Sequence, residues 1–215
     1  MFNIIPSHKR AEITDPKRFA SDFAIRANVP GALPLFLHVA ESAPLGDSEL
    51  HGFRHWLTVL DNGLNLLQGI DHTGGVSNAF RNVVILFALF HDSRREDEGE
   101  CKQHGKAAAM FLTKGLPASL KPLVDGLFGP DTVAMAAFAC ECHTIIDVPD
   151  SSPLLRVGEA HSPLFGLMCA EEAMVIGTCL DADRLDLARV GIRPHPHYLY
   201  SRTAKQAATA AINLR

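Results

Sequence analysis

The run Val83-Val84-Ile85-Leu86-Phe87-Ala88-Leu89-Phe90 is the longest apolar stretch of the chain, and His91-Asp92 follow it directly. Eight apolar residues leave no polar face, and such a helix belongs inside a protein. The run is far short of the ~20 residues a membrane span needs. It therefore reads as the most apolar helix of a helical core, over about 77–91. An acid at the end of such a helix is costly to bury unless it is paired or bound to a cation. The other reading is a helix end that reaches solvent, and the dipeptide alone does not choose.

The rest of the sequence keeps the helical period, with no alternating runs joined by hairpin turns. A helix is expected over about 48–67, with Ser48 as its N-cap. Another follows the charged loop 94–99 and runs to about Lys114, a further one starts near Pro117 or Ser119, and another spans about 131–144. A loop rich in Pro and Ser occupies 147–153, and a helix, whole or broken in two, covers about 163–190. Pro194 and Pro196 interrupt the pattern before a last helix over 201–212. Residues 1–46 carry Pro6, Pro16, Pro30, Pro34 and Pro44 and read as an irregular N-terminal extension, with one short helix after Asp15-Pro16. The expectation is an all-α fold, with a helical domain over 47–215 behind that extension. At 215 residues and 47% hydrophobic, the chain suffices for one domain with a sizeable core.

Composition narrows the partners. A net charge of −4 leaves no electrostatic footprint for a long nucleic acid or an anionic membrane. The N-terminus has no basic region followed by a long apolar stretch, so no signal peptide is expected. Five scattered cysteines suit reduced thiols and a cytoplasmic location. Cys140-Glu141-Cys142-His143 looks like part of a zinc site, but cysteines two apart on a helix point to opposite sides. The Ala-rich end, 204–211, packs either on the bundle or on a second subunit, so a homodimer is among the expectations.

Eleven histidines stand against one Trp and two Tyr. Histidine is the commonest metal ligand and a frequent general base. His51 and His55, at i and i+4, share one helix face, and His55 continues into a stripe with Val59, Asn62 and Leu66. Asp183 falls on the stripe Ile176, Leu180, Leu187 and Val190, whereas Asp181 lies about 200° away around the helix. His104 opens its helix with Ala107, Ala108 and Phe111 on its side, and His143 lies below Ala136, Ala139 and Cys140. Each histidine alone fits a core imidazole satisfied by a neighbour, and Asp183 alone fits a salt bridge to an arginine. Taken together, His55, His91-Asp92, His104, His143 and Asp183 are nitrogen and oxygen donors that separate helices would present to one interior point. Such a set suits Mn, Fe, Co, Ni or Zn better than Ca.

This order, with its flanking text, resembles the HD-domain metal-dependent phosphohydrolase superfamily over about residues 48–192, two-thirds of the chain. His51-Gly52-Phe53-Arg54-His55 resembles the double-histidine opener of the small bacterial HD hydrolases. Asp181-Ala182-Asp183-Arg184-Leu185-Asp186, followed by Gly191-Ile192, resembles their closing motif. The resemblance implies a bundle of helices with a metal centre between them. His55, His91, Asp92 and Asp183 would bind a first divalent transition metal. His104 and His143 would hold a second, with Asp92 bridging. Two departures stand out. The acidic pair Glu96-Asp97 comes only after Ser93-Arg94-Arg95, unlike members that hydrolyse guanosine tetraphosphate, and the Gly-Tyr-Pro motif of the cyclic-dinucleotide branch is missing.

The implied activity is hydrolysis of a small phosphorylated molecule, a nucleotide first of all. Asp92, Arg94, Arg95 and His51 would carry it: guanidinium forks suit phosphate oxygens, and His51 would support a ligand or touch substrate. The bland reading of Arg94 and Arg95 is a solvated charged loop. Two further readings keep the fold: a di-iron oxygenase using all six ligands, and a non-catalytic metal- or nucleotide-binding regulatory module.

Overall fold

A computed structural model describes residues 13–70, 77–99, 101–144 and 170–213. Among the described residues the chain is all-α: nine α-helices and no strand. The helices are α1 (Pro16–Ala27), α2 (Leu33–Glu41), α3 (Phe53–Ile70), α4 (Asn78–Phe90), α5 (His104–Met110), α6 (Lys121–Phe128), α7 (Pro130–Cys142), α8 (Ala170–Asp186) and α9 (Arg202–Asn213). The helix α5 widens into a π-helical turn over Phe111–Gly115, and α8 tightens into a 3-10 turn over Leu187–Val190.

The apolar run forms the centre, as its composition demands. Every residue of α4 from Val83 to Phe90 is buried, with α3, α7, α8 and α2 packed around it. Ser77 caps its start, its hydroxyl accepting from the Phe80 amide. The most extensive helix pair is α3 with α8, and Asn62 on α3 donates to the carbonyl of Ala182 on α8 at 3.0 Å. Gly63 lets these backbones close on α4: a Cβ there would stand 2.5 Å from Val84 Cγ1 and 3.5 Å from Ala182 Cβ. Among the described residues no single helix is long and apolar enough to cross a membrane.

Before residue 47 the helix expected after Asp15-Pro16 forms as α1, and the segment expected to be irregular after it contains a second helix, α2. Asp15 caps α1 by accepting from the amides of Lys17 and Arg18, with Pro16 in the first turn. A second helix, α2, has Pro34 in its first turn, where a missing N–H costs nothing. Both helices join the core. Phe19 of α1 stacks on Phe53 with ring centres 4.4 Å apart and meets Trp56 edge-on at 5.5 Å. Pro16 and Pro34 lie in the first turns of helices while Pro30 and Pro44 lie in turns, so proline density alone did not separate the two.

The first helix of the site also starts later than Ser48. It begins at Phe53, and Ser48 instead closes the preceding turn, its hydroxyl accepting from the amides of Leu50 and His51. The expected loop at 147–153 and the part of the last long helix before residue 170 lie outside the described residues.

Candidate metal centre

Five helix ends converge on one place. His55 sits in the first turn of α3, His91 and Asp92 at the end of α4, His104 at the start of α5, His143 at the end of α7, and Asp183 in the last turn of α8. Three of these are helix C-termini, whose partial negative charge favours a cation. Gly105 makes the α5–α7 approach possible: a Cβ there would lie 2.3 Å from the carbonyl oxygen of Cys140.

The donors form two sets that share Asp92. In the first, His55 Nε2 and His91 Nε2 are 2.9 Å apart, and Asp92 Oδ2 lies 3.5 Å and 3.8 Å from them. Asp183 Oδ1 stands 3.2 Å from His55 Nε2 and 3.9 Å from His91 Nε2. In the second, His104 Nε2 and His143 Nε2 are 2.9 Å apart, and Asp92 Oδ1 lies 3.0 Å and 3.6 Å from them. The two oxygens of Asp92 thus face different sets. Donors bound to one ion at about 2.0–2.2 Å stand about 3–3.5 Å from one another; His55, His91 and Asp92 form one compact group and Asp92, His104 and His143 another, while the 3.8 and 3.9 Å separations of Asp92 and Asp183 from His91 are wider than that spacing.

The tautomers strengthen the case. His91 donates its Nδ1–H to the carbonyl of Phe87 at 3.1 Å, and His55 donates its own to Asp186 Oδ2 at 2.6 Å. His104 and His143 donate theirs to the carbonyls of Cys101 and Cys140. In its neutral form each ring then presents a bare Nε2 lone pair inward. Without a cation a proton on His55 can bridge the 2.9 Å between its Nε2 and that of His91, and a bound cation would take that proton's place between the two rings. The buried cluster of His55, His91, Asp92, His104 and His143 can hold a metal ion.

The electrostatics agree. Burial holds His91 down to about 3, so it stays neutral and ligand-ready. Burial also opposes a charge on His55, but Asp183 and Asp186 outweigh it and push its pKa up to about 10. Burial alone would raise Asp92, yet His91, His104, His143 and His51 hold it well below the usual carboxylate range. For His104, burial is likewise outweighed, by Asp92, and its pKa rises. These are carboxylates and imidazoles sharing positive charge that a divalent ion would supply instead.

His51 stands in the turn before α3 rather than on its face, yet it still reaches the site. Its Nδ1–H donates to Asp92 Oδ2 at 3.1 Å, its Nε2 lies 3.8 Å from Glu98, and its carbonyl accepts from the Trp56 indole at 2.8 Å. Arg95 is buried beside the second set, 3.3 Å from both ring nitrogens of His104 and 4.0 Å from Asp92 Oδ1. Arg94 is not brought to the site. Its guanidinium donates to Ser42 at 2.7 Å and covers the Phe111 ring at 3.7 Å.

Two residues were missed. Asp186 braces His55 and accepts from Arg189 Nε at 2.8 Å, and Arg189 also donates to the carbonyls of Glu49 and Leu50 in the His51 turn. The only signal was spacing: Asp186 follows Asp183 by three and so shares its side of α8. Asp181 is buried facing away from the site, its oxygens accepting from the Tyr200 and Ser201 amides and so holding the start of α9.

The site opens into a cleft of about 810 Å³ whose walls include Lys102, Lys106 and Leu187. Compared with protein-family models, with curated proteins and with solved structures, the chain matches none.

Proposed function

We propose that the chain is a metal-dependent phosphohydrolase that acts on a small phosphorylated molecule, as its resemblance to the HD-domain superfamily implies. The observation that carries this reading is Asp92, whose two oxygens each face a separate donor set. Of the metals expected, Mn, Fe, Co, Ni and Zn all suit imidazole and carboxylate donors. A divalent ion held there would supply Lewis acidity and a lowered pKa for water near neutral pH. The chain's own groups have distinct tasks. Asp186 fixes the His55 tautomer, and His51 donates to Asp92 Oδ2 and so steadies the carboxylate that the two sets share. Arg95 puts positive charge at the second set, and Lys102 and Lys106 offer it to phosphate oxygens at the cleft wall.

The test pairs elemental analysis of protein purified without chelator with phosphate release over a panel of phosphomonoesters and nucleotides. Bound metal and released phosphate, both lost in Asp92→Ala, are expected. Metal-loaded protein that releases no phosphate from any member overturns the reading. Two irons per chain with oxygen consumption would move it to the oxygenase alternative, which the two-set geometry also accommodates.

A further inference from the structure

The cleft over the donor sets has two unlike walls. One joins the turn before α3 to the chain following α8 and presents Leu50, Leu187, Val190 and Ile192. Arg189 ties these segments together through the carbonyls of Glu49 and Leu50. The other wall, at the start of α5, presents the exposed Lys102 and Lys106, with Glu141 at the adjoining end of α7.

Single exposed apolar residues are ordinary on any surface. Here they are gathered. Leu50, Leu187 and Ile192 are 43%, 38% and 56% exposed, and they are three of the seven most exposed large apolar residues among those described. All three line the one cleft whose floor is a charged donor set. Among the described residues no phenyl, phenol or indole ring lines it, and Gln103 and Thr144 are its only neutral hydrogen-bonding side chains apart from histidine and cysteine. Nucleobases are held by ring stacking and by hydrogen bonds to their edges; the rings lining this cleft are the imidazoles of His51, His55, His104 and His143, each already engaged with Asp92, Asp186 or a backbone carbonyl. Outside the donor sets and the groups that brace them, the cleft's charged side chains are Lys102, Lys106 and Glu141, which suits a single phosphate better than a chain of them. A volume of about 810 Å³ leaves room for a body beyond the phosphate.

We propose that this cleft takes a phosphomonoester of an apolar alcohol, an alkyl or aryl phosphate rather than a nucleotide. Its phosphate lies toward Lys102, Lys106 and Asp92, and its carbon skeleton runs along Leu50, Leu187, Val190 and Ile192. The inference rests on the reading of the site as a phosphate-handling centre, and it concerns what else the substrate carries.

The experiment titrates methylphosphonate and n-pentylphosphonate, which are not hydrolysed, into manganese-loaded protein by calorimetry. Each fully buried methylene is worth about fourfold in affinity, so a partly covered pentyl chain should bind about tenfold tighter than methyl. In Leu187→Ser/Ile192→Ser, both exposed positions that the fold does not need apolar, that gain should vanish while methylphosphonate binding is kept. Lys102→Ala/Lys106→Ala should weaken both probes alike. Equal affinity for the two probes, or a gain that survives the serine variant, overturns the inference. Hydrolysis separates it from the reading it rests on. Tight pentylphosphonate binding without phosphate release from pentyl phosphate keeps the cleft and refutes the hydrolase. Phosphate release from nucleotides and alkyl phosphates with equal kcat/KM keeps the hydrolase and refutes the preference.

Discussion

The two donor sets share a carboxylate but are built differently. The first joins α3 and α8, the two longest helices, to the end of α4 that follows its buried run, and His55 is braced by Asp186 and then by Arg189. The second joins the seven-residue α5 to the end of α7, braces both imidazoles on backbone carbonyls, and has Arg95 against His104. A carboxylate partner makes its imidazole a stronger ligand than a carbonyl does, and a neighbouring guanidinium repels a cation. The first set should therefore hold its ion tightly and the second loosely, although the donor separations are alike.

The sharpest way to break that comparison is to remove what the sets share. Asp92→Ala should abolish both ions and bring phosphate release to background, read by elemental analysis and by phosphate assay. If one ion stayed at full occupancy, the two sets would not be coupled through Asp92. Gly105→Val should split them. Its side chain meets the Cys140 carbonyl and pushes α5 off α7, separating His104 from His143. Metal content should fall from two ions to one, with about 1–3 kcal/mol lost from overpacking in thermal unfolding. Loss of both ions at unchanged fold would show that the first set depends on the second.

The sequence disclosed the donors better than their support. His91-Asp92 at the end of an apolar run, and Asp183 on an apolar stripe, stand out in the sequence as polar groups in apolar settings, and taken together they point to one place even though each alone has an ordinary reading. His104 and His143 needed the helices placed, and the 3.6-residue period placed them. Asp186 was hidden because it reads as one more acid in a charged helix end, and only the α3–α8 contact turns it toward His55. In α2 the density of Pro masked a helix whose Phe36 and Val39 are buried, since a proline in the first turn and one in a loop look alike in sequence. The start of α3 at Phe53 was lost for a related reason: a serine that closes a turn and a serine that caps a helix make the same side-chain bond.

Asp186→Asn sharpens the comparison from the other side. The amide still fills the space but no longer offers His55 a charged partner. The first ion should bind about 10–100-fold more weakly, while the second changes little, measured by competition with a chromophoric chelator. An equal loss at both sets would break the assignment of Asp186 to the first. Acidity should also govern binding at the first set. In chelator-treated protein His55 holds its proton up to about pH 10, so an ion entering the first set must displace it. The affinity should then rise about tenfold per pH unit through neutrality and level off near pH 10. The raised folded value also stabilises the metal-free protein. That contribution is complete below the unfolded value near 6.5 and is lost as pH climbs toward 10. Calorimetry in buffers of different ionisation enthalpy reads the released proton, and thermal unfolding from pH 6 to 10 reads the stability. No proton release would sink the protonated state of His55.

The smallest effect belongs to Arg94, and it tests where the site ends. Arg94 and Arg95 are adjacent in sequence, and either could serve phosphate by charge alone. Their surroundings separate them: Arg95 lies against His104, whereas Arg94 lies over Phe111 and donates to Ser42, bridging the end of α2 to the π-helical turn. Its Nε is buried with no hydrogen-bond partner among the described residues, which offsets part of what the ring contact contributes. Arg94→Ala should therefore cost about 1 kcal/mol or less, a shift of about 2–4 °C at most in thermal unfolding. Metal content and kcat/KM should stay unchanged. Arg95→Ala should lower kcat/KM, since it removes the guanidinium beside Asp92 Oδ1, and should also loosen the 97–99 loop whose carbonyls it holds. If Arg94→Ala lowered kcat/KM as much as Arg95→Ala, the boundary drawn between the cleft and the α2–π-turn contact would be in the wrong place.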